Sequence, residues 1–283
     1  MKSAVRRLVR GLKRFSEEET KLDLSSFYPM MTHLHREVVK QIGWRRIQYV
    51  WGLLHAAHLA KALGIERISV VELGVAGGTG LVQMERASRV IERLLGTRID
   101  VFGFDTGKGM PKPTDARDLP NLYGEGDYTM DTAALKTKLG NARLTLGPLK
   151  ETLPAFVSES PAPIGFISFD VDYYSSMNDG LILLEARHDL LLPRVQCCMD
   201  DILGYSFGDC NGERLAIAEF NAAHVDRKLS PVYGLRFFVP PERANEQWTE
   251  KMYLAHILDH PRYGDNDGTM QRQLPLPGVK DRW

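Results

Sequence analysis

The sequence predicts an α/β fold in which a doubly wound, mostly parallel sheet has an antiparallel pair of strands at one edge and is preceded by N-terminal helices. Short runs that are apolar on both faces alternate with amphipathic helical segments, which is typical of parallel strands covered by helices on both sides. Near the C terminus, two strand-like runs follow each other with no long helix between them, and this favours the antiparallel pair. The 283 residues, of which 43% are hydrophobic, are enough to form a large core.

The individual elements follow in chain order. A helical pattern runs from residue 44 to 63 and ends at Gly64, a residue that is common just after a helix. Five apolar runs predict parallel strands, and amphipathic segments predict helices. The predicted strands are 68–75, 99–105, 142–147, 164–170 and 194–200, the helices are 80–95, 128–139, 176–191 and 212–227, and the edge pair is 233–239 and 251–259.

The chain divides into three expected parts. These are an N-terminal helical extension at 1–66, the sheet domain at 67–260, and an irregular tail at 261–283 that is rich in Gly, Pro, Asp, Asn and Arg. Residues 1–15 have six basic side chains, no acidic one, and apolar residues at helical spacing. This pattern allows contact with a membrane surface or a partner. A solvated terminal helix is the preferred interpretation, because one short basic arm binds acidic lipid only weakly.

Charge and cysteine content exclude several classes of protein. Lys plus Arg and Asp plus Glu each number 36, so the formal net charge is zero and no overall field attracts nucleic acid or an anionic membrane. We therefore expect a small-molecule partner and no nucleic acid. The three cysteines have neither disulfide-framework nor metal-ligand spacing, which indicates a reducing compartment. With no long apolar run and no signal-peptide pattern, a cytoplasmic protein without a transmembrane segment is expected.

A glycine-rich turn follows the first predicted strand, in the segment VELGVAGGTG. Glycines at this place allow a ligand to approach the backbone at the N terminus of the next helix. A dinucleotide fingerprint would need glycine where Ala76 stands, and a phosphate loop would need a different spacing of its lysine. The remaining pattern, an acid followed by closely spaced glycines, resembles the first motif of class I S-adenosylmethionine-dependent methyltransferases. That resemblance implies a cofactor site formed by Glu72, Gly74, Val75, Ala76, Gly78 and Thr79.

The second predicted strand supports the same cofactor. The run VFGFD ends at Asp105, at the edge of the sheet where the glycine turn is expected. A carboxylate in that position can accept hydrogen bonds from both hydroxyls of a ribose. We therefore expect Asp105 to bind the ribose of S-adenosylmethionine.

Acidic residues also follow the fourth and fifth predicted strands. Asp170 ends the run ISFD, and Asp200 and Asp201 end the run CMDD. Because the carboxyl ends of parallel strands meet at one edge, these side chains should converge there with Glu72 and Asp105. Converging carboxylates repel each other and are costly to bury, whereas a hard divalent cation such as Mg²⁺ binds oxygen ligands and removes the repulsion. The sequence therefore predicts a metal site.

Five segments in this order and spacing resemble the macrocin O-methyltransferase (TylF/MycF-like) family: FGFDTGKGMP, GPLKETLPAF, ISFDVDYYSSM, CMDDILG and GERLAIAEF. Members of this family are metal-dependent enzymes that methylate sugar hydroxyls of natural-product glycosides. The resemblance covers roughly residues 68–225. It implies a Rossmann-like class I methyltransferase core, S-adenosylmethionine as methyl donor, a sugar or glycoside acceptor, and Mg²⁺ held by Asp170, Asp200 and Asp201. The more distantly related catechol-type O-methyltransferases have a similar metal triad, which supports these ligands over Asp172.

The acceptor hydroxyl must lose a proton, and Asp170 and Asp172 are both candidates for the base. Catechol-type enzymes use a lysine shortly after the first metal aspartate, and Tyr173 stands in that place here. Two alternatives stay open: a class I methyltransferase with a nitrogen or non-sugar oxygen acceptor, and a non-catalytic cofactor-binding module of the same fold. The neutral charge and the absence of an N/D-P-P-Y-like motif disfavour nitrogen or RNA acceptors, and the retained acids disfavour the binding module.

Acceptor specificity is expected in the N-terminal helices, in the loop 113–129 and in the segment 205–212, where the pattern indicates no chemistry. The oligomeric state is also open, and a homo-oligomer is compatible with the sequence.

Overall fold

A seven-stranded sheet forms the centre of the computed structural model, which describes residues 27–237, 239 and 245–265. The strands are β1 (Arg67–Leu73), β2 (Arg98–Asp105), β3 (Arg143–Leu146), β4 (Ile164–Phe169), β5 (Leu191–Met199), β6 (Arg227–Pro231) and β7 (Met252–Ile257). The α-helices are α1 (Phe27–Ile42), α2 (Ile47–Ala62), α3 (Thr79–Leu95), α4 (Thr132–Lys136), α5 (Leu149–Ser158), α6 (Tyr174–Leu181) and α7 (Gly212–Ala223).

The strand order across the sheet is β3-β2-β1-β4-β5-β7-β6. Strands β1 to β5 pair in parallel, and β7 lies antiparallel to both β5 and β6. This order, with an antiparallel β7 next to β5, is the topology of class I methyltransferases, so the predicted fold class is confirmed. No helix within the described ranges is both long enough and apolar enough to span a bilayer.

The parallel strands are buried on both faces, as their continuous apolar runs predict. All six residues of β4 are buried. Side chains of β1 alternate between two hydrophobic clusters, since Val70 packs with Phe166 on the face covered by α1, α2 and α3. Val71 packs with Phe169 on the opposite face, which α5, α6 and α7 cover. The sheet is therefore the middle layer of three.

Register sets the positions of the residues that follow the strands. Leu73 pairs with both Phe104 and Phe169, and Phe169 pairs with Met199. The strands β1, β2, β4 and β5 thus end at the same level. The glycine turn, Asp105 and the acids after β4 and β5 consequently meet at one edge of the sheet.

Helix α2 is apolar on nearly all sides and lies inside the protein. Its residues pack with α1, α3 and the sheet in one cluster. Gly52 allows this approach, because a Cβ there would lie 2.3 Å from the ring of Phe166. The segment 1–66 therefore includes two helices that share the core of the sheet domain. Residues 1–26, with the basic segment 1–15, and residues 266–283 of the expected tail lie outside the described residues.

Several predicted boundaries are wrong at the periphery. The edge strand β6 is Arg227–Pro231 instead of 233–239, where Leu235–Phe237 forms a 3₁₀ turn. Only Leu229 of this strand is fully buried, so an edge strand with so little apolar surface leaves no clear pattern. Helix α5 was not predicted, and the helices expected at 128–139, 176–191 and 212–227 are shorter than their patterns.

Gly74 allows the end of β1 to lie close to the end of β4. Its φ is +80°, and a Cβ there would lie 1.8 Å from the backbone oxygen of Asp170. Gly74→Ala should lower the free energy of unfolding by about 3 kcal/mol, because it adds a left-handed alanine and a backbone clash. Urea denaturation measures this. Gly77→Ala is the control, since a Cβ at Gly77 has no atom within 4 Å. Equal losses in the two variants would contradict the described approach of the strands.

Candidate active site

A cavity of about 380 Å³ opens at the carboxyl edge of the sheet. That volume lies in the range of sites that bind small molecules or cofactors. The glycine turn and the N terminus of α3 form one wall, and the acids that follow β4 and β5 form another. The loop between β2 and α4 supplies a third wall with Tyr123 and Tyr128. Both halves of the site predicted from the sequence therefore face the same space.

Asp105 fixes the shape of the glycine turn. Its Oδ2 accepts hydrogen bonds from the backbone N–H groups of Val75 and Ala76 at 2.8 and 2.9 Å, and its Oδ1 accepts one from Gly107 at 2.6 Å. Gly78 precedes α3 in a left-handed conformation, with no side chain capping the helix. Of the predicted cofactor-binding residues, all except Glu72 line the cavity. They are Asp105 and the turn residues Gly74, Val75, Ala76, Gly78 and Thr79. The predicted ribose contact of Asp105 stays a prediction.

Glu72 lies behind the turn, outside the residues that line the cavity. It is buried, and its Oε1 accepts a hydrogen bond of 2.8 Å from the hydroxyl of Tyr49, which in turn accepts one from Ser168. Burial and the nearby Asp170 raise the pKa of Glu72 to about 8. Gly80 leaves room for the carboxylate, since a Cβ at Gly80 would lie 1.8 Å from Oε1. Any effect of Glu72 on a cofactor would thus pass through the wall of the cavity.

Asp170, Asp200 and Asp201 form the acidic cluster that the sequence predicts. Each offers a carboxylate oxygen, and these oxygens lie within 4.8 Å of one another. The backbone N–H of Asp170 donates to Leu73, and that of Asp200 donates to Phe169, so the strand ladders extend to the acids themselves. An all-oxygen donor set at this spacing fits Mg²⁺, Mn²⁺ or Ca²⁺.

Glu213, at the start of α7, adds a further buried carboxyl group beneath Asp201. Its Oε2 accepts a hydrogen bond of 3.2 Å from the backbone N–H of Asp201. Its Oε1 has no hydrogen-bond partner within the described part of the chain. Burial, together with the charge of Asp201, raises the pKa of Glu213 well above its usual value. No role is predicted for Glu213 from the sequence, although the residue lies in the segment GERLAIAEF that is part of the family resemblance.

The pKa values indicate that nearby cations neutralise only part of the negative charge of the carboxylates in the cluster. Burial and then Asp200 raise the pKa of Asp170 to about 7. Burial, followed by Asp172 and Asp170, raises the pKa of Asp201 to about 9. Burial also acts to raise the pKa of Asp200, but the cations of Arg46 and Lys251 outweigh it and hold that pKa below its usual value. The donor set and its uncompensated charge both fit a divalent cation.

Two cationic residues that sequence reasoning missed bond to the cluster. Arg46 Nη2 lies 2.8 Å from Asp170 Oδ2, and its Nη1 lies 3.0 Å from Asp200 Oδ2. Lys251 Nζ lies 3.1 Å from Asp200 Oδ1 and donates to the backbone oxygen of Asp200 at 2.6 Å. Arg46 precedes α2 and Lys251 precedes β7, so no motif near the acids indicates either residue.

Asp172 lies at the cavity, two residues beyond the end of the β4 ladder. Its backbone is left-handed with φ 56°, and its N–H donates to Asp201 Oδ2 at 3.3 Å. Its carboxyl group lies near the Tyr123 hydroxyl and near Asp201. Burial raises the pKa of Asp172 above its usual value. Both base candidates, Asp170 and Asp172, line the cavity.

The loop that carries Tyr123 is fixed by a buried carboxylate. Asp118 accepts hydrogen bonds from the backbone and hydroxyl groups of both Thr114 and Ser175, at 2.6 to 2.9 Å. Asp118 is fully buried, and Ser175 belongs to α6. The loop 113–129 is therefore fixed to the helix that begins just after Asp172.

Comparison with known proteins gives a likeness of fold. No protein-family model and no curated protein matches the chain. CalS11, a calicheamicin methyltransferase, aligns with 20% identity over 82% of this chain and 88% of its own, with a TM-score of 0.49. TomG, an O-methyltransferase from Streptomyces achromogenes, aligns with 13% identity over 88% and 94%, with a TM-score of 0.42. MycE, a methyltransferase solved with Mg, S-adenosylhomocysteine and mycinamycin VI, aligns with 12% identity over 80% and 54%, with a TM-score of 0.41. The macrocin-family assignment stays a prediction.

The raised pKa values predict that stability without a divalent cation falls as pH rises from 6 to 9. Folded Asp170 and Asp201 keep protons up to about pH 7 and 9, whereas the unfolded chain releases them near pH 3.9. The folded state thus binds more protons in this window, and its stability decreases with pH.

Melting temperatures in EDTA should show this decrease in stability, and saturating Mg²⁺ should make the decrease smaller. Asp201→Asn should flatten the profile and the exposed control Asp226→Asn should not. A flat profile for the unaltered protein in EDTA would contradict these pKa shifts.

Proposed function

We propose that this protein is a magnesium-dependent O-methyltransferase that transfers the methyl group of S-adenosylmethionine to a hydroxyl of a small molecule, with a sugar or glycoside as acceptor. One observation carries the proposal. The glycine turn after β1 and three carboxylates, whose oxygens lie within 4.8 Å of one another, face the same cavity. A cofactor pocket alone would serve many reactions, but an adjacent oxygen-donor cluster suits activation of a hydroxyl. The sugar preference is carried over from the sequence resemblance.

On the cofactor side, the chain offers backbone donors and one carboxylate. The turn at Gly74 to Gly78 lies open to the cavity and leads into the uncapped N terminus of α3. Free N–H groups in the first turn of a helix favour an anionic group, such as the carboxylate of an amino acid. Asp105 lies at the end of β2. Backbone N–H groups occupy both sites of its Oδ2 and one site of its Oδ1, so one acceptor site on Oδ1 is left for a ribose hydroxyl. S-adenosylmethionine supplies an electrophilic methyl group on its sulfonium.

On the metal side, Asp170, Asp200 and Asp201 would hold Mg²⁺. When bound, this ion would lower the pKa of the acceptor hydroxyl and fix its position. The structure favours Asp172 over Asp170 as the base, because Asp170 is paired with Arg46 and belongs to the ligand set. Asp172 lines the cavity and lies near the Tyr123 hydroxyl. Its raised pKa increases its basicity toward a hydroxyl proton.

On the acceptor side, Tyr123 and Tyr128 line the cavity together with Met110 and Pro111. Tyrosine combines a flat apolar body with a polar tip. These surfaces suit a ring that has both C–H faces and hydroxyl groups, as a sugar has. The fixed loop 113–129 would then set which hydroxyl meets the base.

The cofactor part of the proposal is tested by ligand-induced stabilisation. S-adenosylhomocysteine at about 100 times its dissociation constant should stabilise the protein by about 2.7 kcal/mol, because it binds the folded state only. NAD⁺ at the same concentration should have no effect, since the turn lacks the dinucleotide spacing. Thermal unfolding with each ligand gives the comparison. Stabilisation by NAD⁺ and not by S-adenosylhomocysteine would refute the proposed cofactor.

The chemistry is tested with labelled S-adenosylmethionine and a panel of nucleotide-sugar, glycoside and catechol acceptors. Transfer should require Mg²⁺ and stop in EDTA. Asp201→Asn should lower kcat by about 100-fold or more, because several kcal/mol of activation depend on the ion.

A second variant separates the base from the metal ligands. Asp172→Asn should lower kcat by about 100-fold while it leaves Mn²⁺ binding unchanged. Asparagine tolerates the left-handed backbone at this position, so the variant should fold. The control is again Asp226→Asn, which should behave as the unaltered protein. Undiminished transfer in EDTA, or an active Asp172→Asn variant, would contradict the assigned roles.

A further inference from the structure

We propose that Arg46 is a built-in cation of the acidic cluster that competes with the divalent ion for Asp170 and Asp200. On binding, the ion would displace the guanidinium from at least one of these carboxylates. The inference rests on the proposed function, which places the ion at this cluster. It goes further by assigning a competing role to a residue of the α1–α2 loop.

The bonding geometry supports competition. One guanidinium bridges two carboxylates from different strands, with N–O distances of 2.8 Å to Asp170 and 3.0 Å to Asp200. Charged N–H donors and a metal ion use the same carboxylate lone pairs. The other oxygen of Asp200 is bonded to Lys251 at 3.1 Å. Both oxygens of Asp200 are thus engaged by cationic nitrogens, so a metal ion that binds Asp200 must displace or share with one of them.

Arg46 is the cation better suited to leave. Lys251 also donates to the backbone oxygen of Asp200 and is anchored beside β7, whose first residue follows it. The Arg46 bonds to the cluster are made by its side chain alone, and its side chain is 28% exposed and lines the cavity. A divalent ion and a guanidinium that share half-buried carboxylates would also repel each other. The geometry therefore assigns the exchange to Arg46.

The backbone at Arg46 is consistent with a position held by these bonds. Arg46 has φ 52° and ψ 45°, a left-handed conformation that is unfavourable for a residue with a side chain. Such conformations persist when the surroundings fix them, and they concentrate at functional sites. Here the side-chain contacts are the two carboxylates and the ring of Tyr49, whose centroid lies 5.6 Å from the guanidinium carbon, and the Arg46 carbonyl accepts a backbone hydrogen bond from Tyr49. Release of the carboxylates would remove much of that support.

The test is Mn²⁺ binding, measured from the electron paramagnetic resonance signal of the free ion. Arg46→Gln should bind Mn²⁺ about tenfold more tightly than the unaltered protein, because it keeps a polar side chain but removes the competing charge. Arg45→Gln is the matched control. Arg45 is the exposed neighbour of Arg46, and its replacement makes the same change in net charge. The Mn²⁺ affinity of Arg45→Gln should stay within about twofold of that of the unaltered protein. If Arg46→Gln does not fold, Arg46→Lys gives the same comparison with an expected gain of about threefold, since lysine cannot bridge two carboxylates as a fork.

The outcomes separate this inference from the proposed function. Tighter Mn²⁺ binding by Arg46→Gln that is lost on adding Asp201→Asn supports the inference. Equal or weaker binding by Arg46→Gln, with binding by the unaltered protein that Asp201→Asn abolishes, overturns the inference and leaves the proposed function standing. Weaker binding in particular would mean that Arg46 positions the ligands. Absence of Mn²⁺ binding in every variant, or binding that survives Asp201→Asn, overturns the proposed metal site and this inference with it.

Discussion

The close approach of carboxylates at the carboxyl ends of β4 and β5 is the constraint on which the rest of the site depends. Parallel pairing places Phe169 beside Met199, so the acids that follow these two residues have to be neighbours. Their repulsion must be offset by protons or by cations. Raised pKa values favour the protons, and two ion-pairing residues supply the cations. Asp170 and Asp201 have raised pKa values, while Arg46 and Lys251 hold Asp200 ionised.

The sequence was sufficient to predict the edge of the sheet where the site lies, because that prediction used only the ends of buried parallel strands. Those strands leave a strong local pattern, and their direction alone brings Asp105, Asp170 and Asp200 to one edge. Nothing local marks Arg46, since its partners are contributed by strands far along the chain. Glu72 was placed correctly on β1, but the depth of its burial behind the turn depends on Tyr49 and could not be predicted. Edge strand β6 is not predicted because it buries little apolar surface. Helix α5 is not predicted because Pro154 interrupts its helical pattern.

Helix α2 packs in the hydrophobic core and also places residues at the candidate site. It packs against the sheet, α1 and α3, with Gly52 against Phe166. The same helix directs the Tyr49 hydroxyl to Glu72, and the residue before it is Arg46. The segment expected as an N-terminal extension thus contributes to both cluster and cavity wall. A change in the packing of α2 would move a hydrogen-bond donor of Glu72 and an ion pair of Asp170 together.

The proposed acceptor wall, the proposed base and the acidic cluster are neighbours along one side of the cavity. Asp118 fixes the loop 113–129 to α6, and this loop carries Tyr123, whose hydroxyl lies near Asp172. The backbone N–H of Asp172 in turn donates to Asp201 Oδ2. Loops tolerate substitution more readily than strands, so the outer surface of this loop can change with the acceptor. We expect Tyr123 to change less freely, because burial raises the pKa of Asp172 and the nearby Tyr123 hydroxyl acts to lower it. The sequence pattern is therefore weak in the loop that would contact the proposed acceptor, whereas Asp172, the proposed base, lies near both Tyr123 and Asp201.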